Sequence, residues 1–238
     1  RYVPAIQYAK ELIEAGTLGE LRQFRGRYLQ DWLVDPDAPA SWRTDAERAG
    51  SGALGDLGAH TVDLARFLVG DIERVSGQTT TFVDERPAPD GSGTEAVTVD
   101  DAYSAQVRFA TGAAGTLEAS RVAPGRKNDH TIEIEGTDGA VRFSLERPNE
   151  LEVLGPDNRG FETVLVTEPD DPYLEHWWPP GHVLGWEHTF VHENDAFLSA
   201  VADGSPYSPG FDDGLAVQRV LDAIQTSDAR GAWVEVGP

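Results

Sequence analysis

Cysteine is absent from the 238-residue chain, which excludes disulfides and thiolate metal sites. That fits a reducing compartment, and a cytoplasmic location is expected. Lysine is nearly absent too, with only Lys10 and Lys127. Basic residues number 19 against 41 acidic ones, a formal net charge of −22. Such a surface repels nucleic acid and anionic membranes, although one local basic pocket is still allowed. No apolar run approaches the roughly 18 residues of a membrane span, and no secretory leader is read at the start. Methionine is missing as well. The chain opens in mid-stride, with Arg1-Tyr2-Val3-Pro4 running into a helix, so a fragment of a longer polypeptide is expected. What is present is ordinary for a soluble domain: 39% hydrophobic residues, enough for a real core.

The pattern along the chain places helices at both ends and strands between them. Pro4 and Gly16 bracket an amphipathic helix. Alternation from Leu21 to Leu29 reads as a strand. A loop from Gln30 to Arg48 carries Trp32 and Trp42, which either bind a ligand or pin the loop to the core. Strands are expected over 75–83, 101–109, 114–121, 131–136, 140–145, 151–154 and 161–166, with hairpin turns at Thr111-Gly112 and Thr137-Asp138-Gly139. Asp84 to Asp100 reads as a surface connection without assigned chemistry. Pro124 to Asp129 is the one basic loop; Lys127 there either offers a cation to an oxygen-rich ligand or belongs to a solvated turn. A second long loop, 168–185, contains Trp177-Trp178 and His182, and helices follow from Trp186 and Phe211. The pattern predicts an α+β fold: an open, mostly antiparallel sheet with helices packed on one face, as one domain over 1–238. The other sheet face, at Tyr103, Ala105, Val107 or their neighbours, is expected to be apolar and open, and so to build a homo-oligomer.

The stretch that organises the rest is Gly50 to Asp63, which starts with small residues and becomes a helix through Val69. At about 100° per residue, Asp56, His60 and Asp63 fall within roughly a 60° arc, opposite Leu54, Leu57, Leu64 and Leu68. Such a face could hold a base, an orienting group and a substrate contact; it could hold a metal; or it could be a satisfied polar face. Gly50-Ser51-Gly52-Ala53-Leu54-Gly55 matches the dinucleotide fingerprint literally, but polar residues 41–49 precede it where a strand is required. These glycines are expected to let backbone approach a ligand closely.

These blocks together resemble the C-terminal domain of the Gfo/Idh/MocA oxidoreductases. The resemblance covers essentially the whole chain: Arg1-Tyr2-Val3-Pro4, Leu12 to Glu20, Ser41-Trp42-Arg43, the helix with Asp56-x-x-x-His60-x-x-Asp63, and Asp212-Asp213-Gly214 onward. It implies a Rossmann domain and a Glu-Lys-Pro segment, neither of which occurs here, with NAD or NADP held mainly by the former. It further implies Asp56 and His60 as the catalytic pair, Asp63 as a substrate contact and Arg1 near the substrate. Trp42, Lys127 and His182 are added as substrate-binding candidates. The implied reaction is hydride transfer between nicotinamide and a secondary hydroxyl of a sugar, polyol or inositol. Its proton can go to a histidine that a carboxylate one turn away orients. No metal is assigned. The alternatives are a metal-dependent hydrolase using Asp56, His60 and Asp63 with help from His182 or His188, and a non-catalytic sugar-binding or oligomerisation module.

Overall fold

In the strand Ala102–Phe109, Tyr103, Ala105, Val107 and Phe109 are buried while Ser104, Gln106 and Arg108 face solvent. This two-residue period recurs along the sheet and decides which face the helices cover. The computed structural model describes residues 1–237. Helices are α1 (Pro4–Glu14), α2 (Ala46–Ala49), α3 (Ala59–Leu68), α4 (Trp186–Asp203) and α5 (Phe211–Arg230). Strands are β1 (Leu21–Leu29), β2 (Ile72–Thr80), β3 (Glu85–Pro87), β4 (Thr94–Ala96), β5 (Ala102–Phe109), β6 (Ala114–Ser120), β7 (Asp129–Gly136), β8 (Ala140–Ser144), β9 (Glu150–Leu154), β10 (Glu162–Leu165) and β11 (Val234–Glu235). The strand order is β10-β9-β8-β7-β1-β6-β5-β2-β11, with β3-β4 as a separate ribbon. The fold is the α+β class read from the sequence. The 1–238 stretch forms two compact units, residues 1–24 with 131–215 and residues 25–130 with 216 onward. Strands β1 and β7 each run from one unit into the other.

In the first unit, α1 lies against β8 and β9. Arg1 is held there by Asp213, at 3.2 Å. Helix α4 ends at Gly204, whose φ of +65° suits a left-handed cap. Its one buried residue is His192. Trp177 Nε1 donates to His192 Nε2 at 2.8 Å, so the proton on Nδ1 points to the Tyr2 carbonyl at 3.0 Å.

In the second unit, α3 and α5 cover the buried face of the sheet. Gly58 meets Tyr103 so closely that a Cβ there would stand 2.8 Å from the ring. Ile224 of α5 fills the space over Gly77 of β2. The opposite face is polar: Ser104 pairs with Glu118 and Gln106 with Thr116 across β5 and β6. This corrects the expectation of an apolar open face, because Tyr103, Ala105 and Val107 are the covered set. Strand β2 starts at Ile72, three residues before the reading from alternation.

The 84–100 stretch is more than a surface connection. Its β3 strand carries Arg86, fully buried, donating to the carbonyls of Leu33 and Asp35 at 2.8 Å each. Among the described residues, no helix is long and apolar enough to cross a membrane.

Candidate active site

The helix carrying Asp56 and His60 begins irregularly. Residues Leu54–Gly58 form a π turn, and α3 continues from Ala59. A wider turn advances fewer degrees per residue, so the 100° count does not hold between Asp56 and His60. The start of this helix has its free N–H groups satisfied from outside. Asp100 accepts from Gly52 N and Leu54 N at 2.7 Å each, and its carbonyl accepts from Ala53 N at 3.0 Å. Burial pushes the Asp100 carboxyl above its usual range, while those N–H groups pull the other way. A Cβ on Gly52 would fall 1.7 Å from the Asp100 carbonyl oxygen. The close approach expected of a ligand is thus made by the chain itself.

Asp56 is not hydrogen-bonded to His60. Its Oδ2 accepts from Arg121 at 3.0 Å, from a guanidinium whose side chain is 3% exposed, while Asp56 itself is 42% exposed. His60 is open to solvent, and among the described residues its ring has no hydrogen-bond partner. The protein around it still dehydrates the ring and pushes its pKa below the ordinary value, against the charges of Asp56 and Asp63. The result is a neutral imidazole with both nitrogens available at neutral pH.

A stack supports this ring. Tyr28 meets His60 edge-on, with centroids 5.8 Å apart, and lies flat on His130 at 4.5 Å. Burial drives His130 down to about 3, with His60 adding to the effect, so His130 stays neutral. It shares a 3.3 Å hydrogen bond with Thr61, the residue after His60. Tyr28 donates to Asn128 Oδ1 at 2.6 Å, and Gln30 donates to the same atom at 3.0 Å. Burial raises the Tyr28 phenol, and Asp56 adds to this, so it remains protonated.

Trp32 and Trp42 are 44% and 45% exposed, so neither is buried in the core. Ser41 caps the short turn Trp42–Thr44, and the Arg43 guanidinium lies over the Trp42 ring at 4.3 Å. Asp63 is half-buried on α3. Lys127 is paired with Asp31 at 2.6 Å, and Arg126 with Asp129 at 2.8 Å, so the basic loop is neutralised locally. Arg1 and His182 belong to the first unit; His182 Nδ1 lies 2.7 Å from the Pro179 carbonyl.

Tyr28, His130, Arg121 and Asp100 escape a sequence-only reading. The one signal for them is the alternation Tyr28, Gln30, Trp32, which continues the β1 period with polar and aromatic groups. Asp56, His60 and Asp63 do not converge on a metal: among the described residues no group of three His, Asp or Glu does so. Residues 46–49, just before Gly50, are helical, so the dinucleotide fingerprint lacks its strand.

The chain matches the GFO/IDH/MocA C-terminal domain over residues 6–142, and it belongs to that family of oxidoreductases. Among its relatives, levoglucosan dehydrogenase of Pseudarthrobacter phenanthrenivorans is 43% identical over 99% of this chain. An oxidoreductase domain protein from Kribbella flavida has a similar structure, with a TM-score of 0.96 at 47% identity over 100% of this chain and 65% of its own. So has levoglucosan dehydrogenase in complex with NADH and levoglucosan, with a TM-score of 0.95 at 44% identity, covering 100% of this chain and 64% of its own. The chain spans 65% of the length of the curated levoglucosan dehydrogenase.

Proposed function

We propose that this chain is the substrate-binding part of an NAD(P)-dependent dehydrogenase that oxidises a secondary hydroxyl of a sugar, polyol or inositol. The observation that carries this reading is His60: solvent-open, unpaired, held neutral, and flanked by Asp56 and Asp63 on one helix. Such a ring can accept the hydroxyl proton as the alcohol is oxidised. No side chain accepts a hydride, so the donor set fits the substrate side of a nicotinamide site. The nicotinamide, when bound, supplies that acceptor. Gly50 to Gly55 lack the strand context for the dinucleotide, which supports the reading that a further domain binds the nucleotide and that this chain is inactive by itself.

Asp56 carries negative charge beside the imidazole, and so favours the imidazolium formed when the proton arrives. Asp63, Trp42 and Trp32 are assigned to substrate: a carboxylate for hydroxyl groups, and exposed rings for the apolar face of a sugar. A cytoplasmic location and self-association complete the reading; with the open sheet face polar, the latter rests on the family resemblance.

The test is oxidation of a panel that includes levoglucosan, myo-inositol and glucose by the complete polypeptide with NAD or NADP. Nicotinamide reduction with at least one of them is expected. Sugar binding without any nicotinamide reduction would instead support the non-catalytic module.

A further inference from the structure

We propose that Arg121 is a positioning residue of this site, joining the Asp56 carboxylate to the tryptophan loop so that the two are held as one unit. This rests on the reading of the site given under Proposed function. Arg121 follows the last residue of β6, and its backbone is fixed on both sides. Its N–H donates to the Asp101 carbonyl at 2.9 Å, and its own carbonyl accepts from Leu33 N at 3.1 Å. The side chain, 3% exposed, therefore projects from a set point. Nη2 donates to Asp56 Oδ2 at 3.0 Å, Nη1 donates to the Arg43 carbonyl at 3.2 Å, and the guanidinium lies 5.6 Å from the Trp32 ring centre. Burying a guanidinium is costly unless a charge and hydrogen bonds compensate it. Asp56 supplies that charge and the Arg43 carbonyl a further acceptor, while Nε is buried without a hydrogen-bond partner among the described residues, so the ion pair with Asp56 is the main compensation.

The contacts close a circuit around His60. Asp56 leads to Arg121, and Arg121 to Trp32. Trp32 Nε1 donates to Gln30 Oε1 at 2.9 Å. Gln30 and Tyr28 share Asn128 Oδ1, and Tyr28 meets the His60 ring. Asp56 and His60 are four residues apart on the same helix. Arg121 is the step at which the helix-borne carboxylate joins the loop, and it holds only Oδ2 of Asp56. Substrate pressing on Trp32 would be felt at Asp56 through this one side chain.

The experiment is a double-mutant cycle in the complete protein with levoglucosan as probe substrate. Arg121→Met is expected to lower kcat/KM by about tenfold or more in the native background, and by less than about threefold when Asp56 is already Asn, because coupled residues are non-additive. Arg121→Lys, which keeps the charge but loses the fork, should fall between. It also decides the matter if the Met variant does not fold. A second readout is independent of activity: fluorine NMR of 5-fluorotryptophan-labelled protein, with Trp32 assigned by Trp32→Phe. Asp56→Asn should move the Trp32 signal in the native background, leave it in place when Arg121 is Met, and move it less than natively when Arg121 is Lys. Equal fold-losses in both backgrounds, or a Trp32 signal indifferent to Asp56→Asn, would overturn the proposal. If no sugar is oxidised by the native protein, the functional reading fails, and the Trp32 signal still decides the role of Arg121.

Discussion

At the residue scale, the two histidines of the site are kept neutral for different purposes. His60 is open and without a hydrogen-bond partner among the described residues, and in the proposed reaction its lone pair takes the proton. Burial holds its pKa below the ordinary histidine value, so kcat/KM should rise with pH through an acid limb centred below that value. Asp56 raises that pKa, so Asp56→Asn should move the limb to lower pH; movement to higher pH would contradict the assigned sign. His130 is buried and supports the stack. Its pKa, about 3 when folded against an ordinary 6.5, means the unfolded chain binds the extra proton between those values. Stability from this group is therefore complete above about pH 6.5 and is lost as pH falls toward the folded value. His130→Phe keeps a ring against Tyr28 without titrating. Melting temperature in that variant should decline less steeply below pH 6.5 than in the native protein.

At the scale of elements, the decisive piece is the irregular start of the helix that carries Asp56 and His60. Asp100 holds three consecutive N–H groups there, two with its carboxylate and one with its carbonyl. Asp100→Ala leaves two buried N–H groups unsatisfied, which should cost about 1–3 kcal/mol and lower turnover with stability. Asp100→Asn keeps one acceptor oxygen and should cost less. Parallel melting and kinetic measurements check both; an Ala variant as stable as the native protein would show that the helix start does not depend on this cap. The strands of the nine-stranded sheet and most helix ends are legible in the sequence because they depend on local periodicity and on glycine and proline, whereas the short β3-β4 ribbon is not. Gly16, Gly112 and Gly204 all stop or turn the chain where the pattern implies, each with positive φ. The π turn at Leu54–Gly58 was not legible, since its local pattern is also that of an α-helix. Nor was the use of Arg86 and Asp100. They lie in an acidic, proline-rich stretch whose composition resembles a solvated loop, while their partners are 46–53 residues away.

At the scale of the whole molecule, the apolar surface is not where alternation alone would put it. The open sheet face in the second unit is polar, whereas α4 in the first unit exposes Phe190, Phe197, Leu198 and Val201. Alternation shows that a strand has two unlike faces, but only packing shows which one the helices take. The dinucleotide question also belongs to this scale. The glycine run follows a helix, so the 238-residue chain titrated calorimetrically with NAD or NADP should show no submicromolar binding. Tight binding would mean that those glycines form a nucleotide site without the usual strand. The central claim is that the exposed imidazole on α3 takes the substrate proton. Turnover of the complete enzyme carrying His60→Ala, on the sugar it oxidises and with its melting temperature recorded alongside, tests this most directly. A fall of about 10²- to 10⁴-fold with the fold intact is predicted. Full turnover would contradict the account and leave the helix as a scaffold beneath some other base.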